Sequence, residues 1–123
     1  MSCYIDVQMN ARMRTLERRI EKVKKDLAEL GDLRVGSVSK QYNVCGQPGC
    51  RCKASPPRKH GPYYQLSFAR KGKSSSRFVR RENLKDVQGQ VSNYRRLRKL
   101  IDTWIDLATE LSDLRLRAKQ NGR

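Results

Sequence analysis

Apolar residues recur every three or four positions near the start of the chain. Met9, Met13, Leu16, Ile20, Val23, Leu27 and Leu30 alternate spacings of 4 and 3. This narrow a/d seam predicts a helix that requires a helical partner. Gly31-Asp32 predicts its end, glycine being suited to the position past the last turn. Glu17 with Arg14, and Glu21 with Lys24 or Lys25, predict surface pairs. Each is worth about 0.2–0.5 kcal/mol. The partner is either the C-terminal helix of the same chain or a second copy, and the pattern names neither.

A second and longer helical pattern closes the sequence. Asn83 predicts its cap. Leu84, Val87, Val91, Tyr94, Leu97, Ile101, Trp104, Ile105, Ala108, Leu111 and Leu114 follow at helical spacing. Gly89 weakens the first part and predicts a kink or a broken turn there. Trp104 reads as a core anchor. The tail "RLRAKQNGR" (115–123) loses the period and is expected to fray.

Between the helices the period changes from helical to alternating. "GSVSKQYNV" (36–44) puts Val38, Tyr42 and Val44 on one face and Ser37, Ser39 and Gln41 on the other. "PYYQLSFARKGKSSSRFVR" (62–80) reads as a hairpin turning at Lys71-Gly72. Tyr64, Leu66 and Phe68 share a face, and Phe78 or Val79 returns beside them. The expected class is therefore α+β: a coiled-coil-like helix (1–32), a β module of about three strands with a Cys-rich loop (33–81), and a C-terminal helix with its tail (82–123). The two helices should pair as a hairpin or a coiled coil.

Composition sharpens this picture through charge. The 123 residues hold 28 Lys and Arg against 12 Asp and Glu, a net charge of +16. Both helical flanks mix the signs, whereas residues 33–81 carry 12 basic side chains and no acid. Such a stretch repels itself unless a polyanion covers it, which points to nucleic acid. Only 37% of residues are hydrophobic, a lean supply that favours a metal, a disulfide or a second copy as support. No apolar run is long enough for a membrane span, and the first residues lack a secretory pattern. The expected location is the cytoplasm, where thiols stay reduced and metal binding is favoured over disulfides.

Candidate chemistry gathers in "VCGQPGCRCKASPPRKHGPYY" (44–64). Cys45, Cys50, Cys52 and His60, spaced C-x4-C-x-C-x7-H, offer a Cys3His donor set for a structural zinc ion. Gly46, Pro48 and Gly49 let backbone amides turn toward the sulfurs, and Arg51 and Lys53 would offset thiolate charge. Side chains of a C-x-C pair point apart in an extended strand, so Cys52 must lie in a turn to join Cys50. The alternative is a set of reduced thiols packed beneath the sheet, with His60 on the surface. Cys3 stands apart from this group.

The stretches "GSVSKQYNVCGQPGCRCK", "KHGPYYQLSFARKGKSSSRFVRRENL" and "NYRRLRKLIDTWIDLA" together resemble an uncharacterised family of short prokaryotic proteins. That family has a CG-x-P-x-CRC segment followed by HGPYY, and the resemblance spans roughly residues 35–115. It implies companions of mobile-element and transposase genes, and a hairpin similar to the DNA-contacting sheets of recombinase arm domains. It carries no assigned activity.

The expected function is thus non-enzymatic nucleic-acid binding, with DNA ahead of RNA, in service of a mobile-element or defence machine. Lys40, Arg51, Lys53, Arg58, Lys59, Tyr63, Arg70, Lys71, Lys73, Ser75, Arg77, Arg80 and Arg81 form the expected surface, and Arg95, Arg96, Arg98 and Lys99 extend it. A basic two-stranded ribbon suits a major groove, while an exposed tyrosine suits an unpaired base. Catalysis is not expected: the basic module has no carboxylate, one histidine and no phosphate-binding Gly loop. The alternative is an adaptor whose helices dock on a larger enzyme. A homodimer through the helices is compatible with either.

Overall fold

The computed structural model describes residues 3–43, 49–53 and 60–121. In chain order these form α1 (Cys3–Ala28), β1 (Ser37–Asn43), a 3-10 turn (Arg51–Lys53), β2 (His60–Arg70), β3 (Lys73–Val79), a second 3-10 turn (Arg81–Asn83) and α2 (Leu84–Asn121). The class is α+β, as the periodicity implied. The chain makes two compact units, Met1–Gly31 with Arg95–Arg123, and Asp32–Tyr94.

The helical unit pairs α1 with the later part of α2. Leu16, Ile20 and Val23 are buried with Leu107 and Leu111, flanked by Met13, Leu27, Leu100, Trp104, Ala108 and Leu114. The helical partner that the α1 spacing requires is α2 of the same chain. On α2 the seam differs from the expected one. Leu100, Trp104, Leu107, Leu111 and Leu114 keep the 4-3-4-3 rhythm, while Ile101 and Ile105 are 39% and 57% exposed. A stripe that packs against a single helix is too narrow to hold both sets.

Two ion pairs link α1 to α2. Arg12 donates to both carboxylate oxygens of Glu110, at 2.6 and 2.9 Å. Arg115 reaches Glu17 at 3.3 Å, so Glu17 pairs across the helices and not with Arg14. The expected Glu21–Lys24 pair is present at 3.4 Å. Two helix ends depart from expectation: α1 stops at Ala28, before Gly31, and α2 continues without a break through Gly89 and the tail to Asn121. Asn83 ends a 3-10 turn and immediately precedes α2, the position expected of its cap. Nothing lies within 4 Å of a side chain at Gly89, so what this glycine costs the helix is its backbone freedom.

The other unit is built on a three-stranded antiparallel sheet in the order β1-β2-β3. Tyr64, Leu66 and Phe68 stand opposite Val79, Arg77 and Ser75. Val38 stands opposite Leu66 on the other side, so these residues share one face. Leu66 is fully buried there, and Val79, not Phe78, joins it. Lys71 and Gly72 have φ of 54° and 78°, the two positive values of a type I′ turn, whose twist suits a two-residue hairpin. The β1–β2 register shifts between Gln41 and Asn43, where Gly61 and Pro62 of β2 stand against the single Tyr42 of β1. Tyr42 is consequently 49% exposed, and Val44 lies outside the described residues. Segment 32–34 is tied to the start of α2: Arg34 N–H donates to Gln90 O at 3.1 Å, and the Asn93 amide to Asp32 O at 2.8 Å.

Candidate metal centre and nucleic-acid interface

The bulge at the start of β2 places the histidine. Asn43 pairs with His60 at the bulge, and Gly61 follows with φ of 138°. A Cβ at Gly61 would lie 2.8 Å from Gln41 O and 3.0 Å from the Tyr42 ring, so only glycine lets the strands close here. His60 Nε2 then sits 3.1 Å from Cys50 Sγ. Cys52 lies in the Arg51–Lys53 turn, fully buried. That 3-10 turn supplies the reversal a C-x-C pair needs for both sulfurs to face one point. The donor atoms of Cys50, Cys52 and His60 all lie within 4.8 Å of one another, close enough to hold one metal ion. Bond lengths of about 2.0–2.3 Å put ligand atoms of a tetrahedral site roughly 3.5–3.8 Å apart, a spacing this cluster can meet with small side-chain rotations. The fourth expected ligand, Cys45, lies outside the described residues.

The basic side chains of the module divide by position. Arg70, Lys71 and Lys73 surround the hairpin turn, and Arg77, Arg80 and Arg81 continue toward its open end; all six are exposed. By register, Lys40, Arg70, Lys73, Ser75 and Arg77 belong to the face of Leu66. Arg77 lies over the Phe68 ring at 5.3 Å and Lys40 over Tyr42 at 5.7 Å, contacts that hold the cations in place without neutralising them. Tyr63 is on the opposite face. The expected residues therefore do not form one flat patch; they run along a ribbon of about 20 Å, at roughly 3.3 Å per residue. Arg51 is exposed in its turn. Arg58, Lys59 and the side chain of Lys53 lie outside the described residues.

Among the described residues, the ion pairs shorter than 4.0 Å all lie in the helical unit. There the carboxyls of Glu110 and Asp26 are held below the usual range, chiefly by hydrogen bonds from Arg12 and Lys22. Arg96 also acts on Asp26, so part of the Arg95, Arg96, Arg98 and Lys99 cluster has an acidic neighbour. All four are exposed.

Phe78 is the residue the sequence reading undervalued. It is 69% exposed and packs its ring edge-on against Tyr63, with centroids 6.3 Å apart. Its parity in β3 was the available signal: one of the adjacent Phe78 and Val79 must face out, and the partner register decides which.

Among the described residues, no helix is long and apolar enough to cross a membrane. No curated protein and no solved structure matches the chain. One family does match, over residues 13–89, a span that takes in most of α1, both Cys and His segments and the whole hairpin. The chain belongs to the family described as "Domain of unknown function (DUF6788)".

Proposed function

We propose that the protein binds nucleic acid through its β module, without catalysing a reaction. The observation that carries this reading is the acid-free run of residues 33–81, whose hairpin holds six exposed cations from Arg70 to Arg81. Uncompensated cations along a ribbon attract a phosphate backbone, and counterion release supplies the affinity. DNA stands ahead of RNA because a basic two-stranded ribbon fits a major groove. A zinc ion held by Cys50, Cys52 and His60, with Cys45 as fourth ligand, would brace the loop from which the strands emerge. Service to a mobile-element or defence machine rests on the sequence resemblance alone, as does a cytoplasmic setting on the charge and thiol pattern.

The test is nucleic acid retained through low-salt purification. Retention by the wild type and its loss from an Arg70→Gln, Lys71→Gln, Lys73→Gln variant is the expected pair of results; a wild type free of nucleic acid at low salt overturns the proposal.

A second reading is favoured by Ile101, Ile105 and Leu116, exposed along α2. They suit an adaptor that docks on a protein partner or on a second copy of the chain. Binding to nucleic acid that survives substitution of these three by Gln separates the two readings.

A further inference from the structure

The face of the sheet opposite Leu66 carries an arrangement that the cationic ribbon does not use. Tyr63 and Phe78 meet there with planes inclined at 62°, 41% and 69% exposed. The residues that share their face by register, Gln65, Ser67, Ser74 and Ser76 among them, carry no charge. Asn43 and His60 close a small cleft against the two rings. Arg80 and Arg81 line a second cleft that the same two rings border.

We propose that this cleft receives one unpaired base of a single-stranded nucleic acid, stacked on Phe78, with Arg80 and Arg81 on the neighbouring phosphates. The inference rests on the nucleic-acid reading but replaces major-groove docking with a strand whose bases are accessible. An exposed aromatic ring offers its π-face to any base, and sequence tolerance follows because every base has one. The Asn43 carboxamide carries a donor and an acceptor, the pair needed to meet a base edge. Cations beside the rings, at the end of the acid-free run 33–81, select a polyanion over an apolar peptide. A duplex keeps its bases stacked inside and has nothing to give the cleft. His60 belongs both to the cleft and to the Cys50–Cys52 cluster, so an ion held there would fix one wall of the base site.

The experiment uses the full chain and three dye-labelled probes: a short oligothymidylate, the same backbone made abasic throughout, and a duplex of equal length. The wild type should bind the oligothymidylate about ten-fold more tightly than the abasic strand, the size expected for stacking of one base. Phe78→Ala should bring the two affinities close to equal, and Phe78→Trp should keep the preference. Phe78 is exposed, so neither change removes core packing. Equal wild-type affinity for the thymidylate and abasic strands, or a preference for the duplex, overturns the base site and leaves the cationic reading standing. Binding to none of the three overturns both.

Discussion

Cys50 Sγ and His60 Nε2 stand 3.1 Å apart, brought together from either end of the loop by a 3-10 turn at Cys52 and a glycine after the histidine. With Cys52 buried beside them, metal content should be about one equivalent per chain when the protein is purified without added zinc. Cys50→Ser and His60→Ala should each lose most of it and lower the thermal midpoint, because the binding free energy of a structural ion is folding free energy. Elemental analysis alongside thermal melts reads both effects. A metal-free wild type with a sharp melt removes zinc from the account.

Gly61 and Gly72 separate two kinds of glycine requirement. Gly72 has positive φ and open space around a new Cβ, so Gly72→Ala should cost about 1–2 kcal/mol from backbone strain alone. At Gly61 the same change adds a clash with Gln41 O at 2.8 Å. Gly61→Ala should therefore destabilise more than Gly72→Ala and reduce metal content, which Gly72→Ala should leave intact. Denaturant melts of the two variants, with metal analysis, make the comparison.

The rhythm of α2 predicts an unequal response at neighbouring positions. Leu107 is 5% exposed within the helical core and Ile105 is 57% exposed. Leu107→Ala should cost about 2–5 kcal/mol, whereas Ile105→Ala should stay within about 0.5 kcal/mol in the isolated chain. A large loss at Ile105 would show that it is covered in solution, and sedimentation would then reveal whether a second copy covers it.

Arg12 and Glu110 give the helical hairpin an acid-sensitive contact. The Arg12 hydrogen bonds hold the Glu110 carboxyl below its usual range, so their contribution is present above the unfolded carboxylate value. It is lost as pH falls through the folded one. Glu110→Gln should lower the thermal midpoint slightly at neutral pH, with the difference vanishing in acid and shrinking in high salt, as for other exposed pairs. Melts across pH in both proteins check the sign.

Much of this architecture was legible in the residues. The seam from Met9 to Leu30 demanded a helical partner, the Lys71-Gly72 turn set the hairpin, and the C-x-C spacing required Cys52 to turn. What escaped depended on contacts distant in sequence. Ile101 and Ile105 have the spacing of core residues, and only the width of the partner helix excludes them in favour of Leu100 and Leu107. The extra β2 residue opposite Tyr42 shifts the β1–β2 pairing by one step, which no local alternation of Val38 and Tyr42 can announce. Phe78 and Val79 exchange faces with a one-residue change in register, so the aromatic pair with Tyr63 became visible only once the strands were paired. The membership of Arg70, Lys71 and Lys73 in one cationic tip, by contrast, follows from the turn itself.

The measurement that bears most directly on the central claim is the salt dependence of binding to a labelled single-stranded oligonucleotide. If the six exposed cations from Arg70 to Arg81 engage phosphates, the logarithm of affinity should fall with that of salt at a slope of about −4, at roughly 0.7 per contact. The Arg70→Gln, Lys71→Gln, Lys73→Gln variant should reduce the slope to about −2. No binding at low salt, or a slope unchanged in the variant, would contradict the assignment of the hairpin as the nucleic-acid interface.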